Sequence, residues 1–256
     1  MTTQETIDLE HKYILQTYGR PDFVLERGEG MHVFDTDGKK YLDFVSGLSV
    51  NALGYGNKMI SDAAAAQTEK LIHVSNLYHT IPAPQLAQLL CESSFADRVF
   101  FCNSGTESWE AAMKFARKYA FKQSADNPKT KFVAMNQSFH GRTYGSISAT
   151  GQPKYHKGFG PMLPGISFAD FNDLESVEKQ VDSETAAILV EPLQAEGGIH
   201  ASDVAFLKGL RTMCDEMGML LVFDEIQCGL CRTGTLWCYE QYGVTPDMMT
   251  LAKPLA

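Results

Sequence analysis

Met219 to Glu225, MLLVFDE, is a strand-length run that is apolar throughout and ends in two acids. A strand with one wet face would alternate apolar and polar residues. One without a polar face is covered on both sides, as in a parallel sheet flanked by helices. The preceding segment, SDVAFLKGLRTMCDEMG (202–218), has helical spacing, with Ser202 as the expected N-cap and Gly218 as the expected stop. Working outward, RVFFC (98–102), KFVAMN (131–136), AAILVEP (186–192) and DMMTLAK (247–253) also read as strands. Between them, TESWEAAMKFARKYAFK (106–122) is a helix with Ala112, Phe115, Ala116 and Tyr119 on one stripe. DLESVEKQV (173–181) is a short helix and TLWCYEQYG (235–243) a helical piece. Alternating strands and helices predict an α/β fold with a mostly parallel sheet, and ligands in such sheets sit beyond the carboxyl ends of the strands.

Nearer the start, MHVFDTDGKKYLDF (31–44) predicts a hairpin turning at Asp37-Gly38, and helices are expected over 58–72 and 83–92. No repeat, low-complexity tract or charge block marks a linker. Residues 1–50 are taken as an N-terminal segment and 51–256 as a larger ligand-binding domain. A net charge of −9 argues against nucleic acid as partner, because phosphate backbones demand basic patches. No run of 18 apolar residues predicts a membrane span. The opening MTTQETIDLEHKY has neither a secretory apolar core nor an arginine-rich transit composition. A soluble intracellular protein is therefore expected, cytoplasmic, or mitochondrial or plastidic if a targeting segment lies upstream. Six cysteines are too few for a disulfide scaffold. Cys228 and Cys231 form a C-x-x-C without a second pair or histidines at ligand spacing, so no metal is expected and two reduced thiols in a loop are preferred.

Three strand ends carry chemistry. Asn103-Ser104-Gly105-Thr106-Glu107 leads straight into a helix. Its first N–H groups suit a phosphate, and a plain Ser/Thr cap fits the same residues. Asp224 ends an apolar strand, where an acid is expensive unless it meets a cation. A salt bridge to an arginine and a protonated ring nitrogen both satisfy that demand, and the absence of ligands at metal spacing favours the ring nitrogen. Lys253 comes 29 residues later, inside an apolar segment. Lost hydration there lowers its pKa, although a solvated lysine at a loop start is the commoner fate. Phosphate cradle, acid and amine together describe pyridoxal phosphate, which has a phosphate, a pyridine nitrogen and an aldehyde that reacts with an amine.

NSGTESWEAAMKFAR, SFHGRT, VEPLQAEGG, LLVFDEIQCGLCRTG and PDMMTLAKPLA resemble, in order, the motifs of class III pyridoxal-phosphate aminotransferases. The resemblance runs from GKKYLDFVSGLSVNALG to the last residue. Within the class, SGLSVNALG, HVSNLY and TLAKPLA are most similar to acetylornithine aminotransferases, the plant and related eukaryotic kind in particular. It implies the fold-type I transferase architecture: a large cofactor domain plus an N-terminal segment of a small domain. It also implies a homodimer that moves an amino group between N2-acetylornithine and 2-oxoglutarate.

By resemblance, Lys253 holds the cofactor covalently and then moves the substrate Cα proton, and Asp224 keeps the ring nitrogen protonated. Ser104, Gly105 and Thr106 bind the phosphate, Phe139 stacks on the ring, Ile226 packs behind it, and Gln227 lies near the ring hydroxyl. Arg142 grips the substrate α-carboxylate, and Glu196 pairs with a second arginine; an exposed glutamate in a glycine-rich turn is the alternative for Glu196.

The chain departs from the family pattern in places. Trp109 stands where the family usually has asparagine, Cys231 replaces a glycine, and Tyr55-Gly56-Asn57 replaces a histidine-containing turn. The family also continues beyond the lysine into further strands and a C-terminal domain. The sequence therefore reads as a fragment, inactive on its own, of an aminotransferase. Ornithine, succinyl-diaminopimelate and 4-aminobutyrate aminotransferases remain alternatives, as does a non-catalytic protein that keeps the fold for binding.

Overall fold

The computed structural model describes residues 1–255 and divides into two compact units, Met1–His79 and Thr80–Ala256. The boundary expected after residue 50 falls inside the first of them.

The first unit opens with α1 (Thr3–Tyr13), closed at its N-terminus by a reciprocal cap. Thr2 Oγ1 accepts from Glu5 N, and the Glu5 carboxylate accepts from Thr2 N. β1 (Leu25–Glu29), β2 (His32–Asp35) and β3 (Lys40–Leu42) form an antiparallel sheet in that order. The turn between β2 and β3 is the expected Asp37-Gly38 turn. Gly38 takes φ +80°, which a side chain would resist, and Asp35 Oδ1 accepts from Asp37 N and Lys39 N at 3.0 and 2.8 Å. The short α2 (Ser46–Ser49) contains Gly47 and Leu48 at positive φ, and α3 (Lys58–Lys70) is capped by the Asn57 side chain. Only Val33 and Asp35 are buried among the side chains of this unit.

The second unit runs α4 (Pro82–Glu92), α5 (Gly105–Gln123), β4 (Lys131–Met135), α6 (Tyr144–Ala149), α7 (Pro153–His156), β5 (Ile166–Ala169), α8 (Leu174–Glu178) and β6 (Thr185–Val190). A small hairpin of β7 (Leu193–Gln194) and β8 (His200–Ala201) follows, then α9 (Val204–Met217), β9 (Leu220–Asp224) and β10 (Met248–Thr250). The sheet order is β10-β9-β6-β4-β5, every pair parallel.

Both faces of its central strands are buried, and successive residues serve opposite cores. Val133, Met135, Ile188, Val190, Leu221 and Phe223 pack with Phe206, Leu207 and Leu210 of α9. Phe132, Ala134, Ala187, Leu189 and Val222 pack with Trp109, Ala112, Met113 and Ala116 of α5. Each large aliphatic or aromatic side chain so placed contributes roughly 1.5–3 kcal/mol of transfer free energy. Alanines on both partners of the α5 face let helix and sheet approach closely.

Several local expectations change. Of the expected α5 stripe, Ala112 and Ala116 are buried, whereas Phe115 and Tyr119 are exposed and Trp109, Met113 and Ala120 complete the inward face. Asp203, not Ser202, occupies the N-cap of α9, without a side-chain cap bond, whereas Gly218 ends that helix in the left-handed conformation as expected. Arg98–Cys102 is not a strand: among the described residues no strand pairs with it, and an extended run without a ladder is not sheet. Instead it lines a cavity of about 630 Å³ with β10 and the N-terminal half of α5. β5 replaces it in the count of strands; as an edge strand it shows only a short Ile166/Phe168 alternation. Among the described residues no helix is long and apolar enough to cross a membrane.

Candidate active site

The carboxyl ends of β4, β6, β9 and β10 and the N-terminus of α5 meet on one side of the sheet. Gly105, the first residue of α5, shows how closely. A Cβ built on it would lie 3.1 Å from Ile226 Cδ1 and 3.2 Å from Ala252 Cβ, so the turns after β9 and β10 press against the helix start.

At the tip of β9, Asp224 is buried with both carboxylate oxygens engaged. Oδ1 accepts from Ile226 N at 3.0 Å and from Thr250 Oγ1 at 3.3 Å. Oδ2 lies 2.7 Å from His140 Nδ1. Among the described residues the partner of Oδ2 is thus a histidine from the loop after β4, not an arginine. His140 itself lies flat on the indole of Trp109, with ring centroids 3.7 Å apart and planes 14° from parallel. Trp109 therefore fills the core between α5 and the sheet.

Lys253 stands just past β10, in a single 3₁₀ turn, at the unusual φ of +30°. Its Nζ donates to Gln227 Oε1. Burial lowers its pKa, against the raising influence of Glu196, Asp224 and Glu191. The desolvated amine expected from sequence is thus present, and three carboxylates lie close enough to act on it. Glu191, at the end of β6, was not singled out beforehand. It is buried, it accepts from Phe139 N at 3.1 Å, and burial followed by the Asp224 charge pushes its pKa well above the usual carboxylate range. The signal was in the sequence, since AAILVEP closes an apolar strand with an acid just as MLLVFDE does.

The helix start serves two purposes. Ser104 Oγ caps Glu107 N at 3.3 Å, so this hydroxyl acts as the ordinary cap. The Thr106 hydroxyl bonds Thr143 Oγ1 at 2.9 Å and Ser146 Oγ at 2.8 Å. Gly141, at φ +127°, comes so near that an added Cβ would sit 2.3 Å from Thr106 Oγ1, so no larger residue fits there. The backbone N–H groups of Gly105 and Thr106 remain as first-turn donors, which no helix can satisfy internally.

Phe139 meets Tyr155 edge-on at 5.4 Å, and the Arg142 guanidinium lies over that same Tyr155 ring at 5.4 Å. Arg142 is thus held beside Phe139 through one shared aromatic. Glu196 lies in the β7–β8 turn, where its charge acts on Lys253 and Glu191. Ser104, Gly105, Thr106, Phe139, Arg142, Glu196, Asp224, Ile226, Gln227 and Lys253 thus all fall within the second unit.

The C-x-x-C does not behave as a unit. Cys228 is buried and Cys231 exposed, and the partner of Cys228 is Cys238, whose hydrogen bond raises the Cys228 pKa and lowers that of Cys238. Among the described residues no group of three or more His, Cys, Asp or Glu can hold a metal.

Chemically, the arrangement offers a half-buried amine, a carboxylate held by three contacts, and anion-seeking N–H groups at the start of α5. The chain is 49% identical over 255 residues to an acetylornithine aminotransferase of Methanocaldococcus jannaschii, covering 100% of this chain and 64% of that protein. It is 46% identical to a succinylornithine transaminase of Yersinia enterocolitica, covering 99% of this chain and 62% of the relative. The N-acetylornithine aminotransferase structure from Stenotrophomonas maltophilia superposes with a TM-score of 0.82 at 38% identity, over 97% of this chain and 61% of that one. The chain thus spans less than two thirds of the length of these relatives. The signature of the family described as aminotransferase class-III matches residues 14–256, and the chain belongs to that family.

Proposed function

We propose that this chain forms the cofactor-binding part of a pyridoxal-phosphate-dependent transaminase that moves an amino group between an Nα-acylated ornithine, N2-acetylornithine first, and 2-oxoglutarate. The observation that carries the reading is the Lys253 amine: half-buried, lowered in pKa, and within the field of the Asp224 carboxylate. The donor set fits the cofactor group by group. Its aldehyde calls for an unprotonated amine, its ring nitrogen for a fixed carboxylate, and its phosphate for helix-start N–H groups. When bound, pyridoxal phosphate supplies an electron-withdrawing ring that stabilises negative charge on the substrate Cα.

The chain's own residues do the rest. Lys253 Nζ would hold the cofactor and would then take and return the substrate Cα proton, a base role that its lowered pKa favours. Asp224 would stand opposite the ring nitrogen, its carboxylate held in place by His140, Thr250 and the Ile226 N–H. Gly105 and Thr106 hold the phosphate. Phe139 covers one ring face, its backbone fixed by Glu191. Ile226 packs behind the ring, and Gln227 orients the amine and the ring hydroxyl. Arg142, steadied on Tyr155, takes the α-carboxylate with a two-point fork that lysine cannot copy. Glu196 provides the negative partner for a second arginine. A homodimer is part of the proposal.

Similarity to acetyl- and succinylornithine enzymes supports an acylated ornithine as donor. The full-length transaminase that includes this chain, purified with pyridoxal phosphate and 2-oxoglutarate, should form glutamate fastest from N2-acetylornithine or N2-succinylornithine, and more slowly from ornithine, succinyl-diaminopimelate or 4-aminobutyrate. Preference for a free ω-amino acid would overturn the substrate assignment, and no glutamate from any donor would overturn the activity.

A further inference from the structure

We infer that Trp109 is a positioning residue: its indole face fixes the plane of the His140 imidazole, and His140 in turn aims a single proton donor at Asp224. The inference rests on the reading of Asp224 as the acid opposite the ring nitrogen, and it concerns a residue that departs from the family's usual asparagine.

The imidazole is held unevenly. Its Nδ1 lies 2.7 Å from Asp224 Oδ2, and an ionised carboxylate only accepts, so Nδ1 carries the proton. At the other side of the ring, Nε2 is buried and has no partner among the described residues. The ring therefore has one hydrogen-bond anchor where a histidine usually has two. The backbone is pinned, with His140 N donating to Thr150 Oγ1 at 3.0 Å, but that leaves rotation about the Cβ–Cγ bond open.

The indole closes that freedom. At 3.7 Å and 14° it covers one imidazole face, and Trp109 is itself fully buried among Ala112, Met113, Phe132 and Ala134. Its Nε1–H has no partner either, so the side chain acts by its face and not by its donor. An asparagine at 109 has no such face and would have to hold the ring by hydrogen bonding. The tryptophan holds it by shape, with Nδ1 as the ring atom that reaches Asp224.

The test uses protein labelled with 15N-histidine, with the His140 signals assigned through His140→Gln. In the wild type, His140 should show a slowly exchanging proton on Nδ1. Trp109→Leu should speed that exchange roughly tenfold or more and lower kcat by a similar factor, with KM changed less than about twofold. Trp109→Phe, which keeps an aromatic face, should restore both. Trp109→Met takes the place of the leucine variant if that one does not fold.

The absence of a proton on Nδ1 in the wild type would overturn the inference, as would slow exchange and full kcat in the leucine or methionine variant. The exchange and tautomer readings are made before cofactor is added. Absence of pyridoxal phosphate on Lys253 would therefore sink the functional reading separately.

Discussion

The bodies of β4, β6 and β9 and their carboxyl tips are a few residues apart and obey opposite rules. In the bodies, Ile188, Leu189, Val190, Leu221, Val222 and Phe223 are fully buried and carry no polar side-chain atom. At the tips, Glu191, Asp224 and Glu225 are buried as well, yet each is an acid. The first set stabilises the fold by leaving water. The second loses hydration and recovers only part of that cost through hydrogen bonds. One strand therefore does both tasks: its apolar body creates the dry setting in which a carboxyl rises in pKa and the neighbouring lysine falls. Changes in the bodies should cost stability, and changes at the tips should cost chemistry.

The widest gap between the two classes is expected at Lys253. Lys253→Ala should lower transamination by roughly 10⁴-fold or more while moving stability by less than about 1 kcal/mol, read by steady-state rates and urea unfolding. A large loss of stability would place Lys253 with the bodies. Leu221→Ala is the converse test: unfolding free energy should drop by about 2–5 kcal/mol, with pyridoxal phosphate still bound in the folded fraction.

A third test uses pH. Burial pushes Glu225 from 4.5 to about 7, although Cys238 N and Tyr239 N both donate to it at 2.7 Å. Between those values the folded state keeps a proton that the unfolded chain releases. Stability should therefore fall as pH rises from about 4.5 to about 7, by about 3 kcal/mol for this group, and the raised Glu191 acts in the same direction. Urea unfolding at pH 5 and pH 7.5 should show the decline, and Glu225→Gln should flatten it; a wild-type profile flat across this range would contradict the account. The smallest effect is at the substrate side: Arg142→Lys should raise KM for the amino donor roughly tenfold, because a point charge replaces a two-point fork. An unchanged KM would remove Arg142 from the carboxylate site.

The same contrast explains what the sequence revealed. Strand bodies announce themselves, since AAILV and LLVF can only be covered on both faces, and the parallel sheet follows. Asp224 and Lys253 were visible because charge is conspicuous after an apolar run. Glu191 obeys that rule equally, since it closes AAILV just as Asp224 closes LLVF. His140 gave no such sign; its role exists only once β4 and β9 lie near each other, with α5 packed on the same face of the sheet. Trp109 was legible as a departure but not as a stacking partner, for the same reason. Arg98–Cys102 has strand composition, and what it lacks is a neighbour, which no local pattern can report. The C-x-x-C reads as two reduced thiols in a loop, and only the fold shows that one of them, Cys228, lies against Cys238.

The central claim is that the Lys253 amine is the attachment point for the cofactor, and borohydride reduction followed by peptide mapping tests it most directly. Purified protein incubated with pyridoxal phosphate and reduced should carry one stable pyridoxyl group, on the peptide containing Lys253, and none in Lys253→Ala. A pyridoxyl group on another lysine, or none at all, would contradict the account.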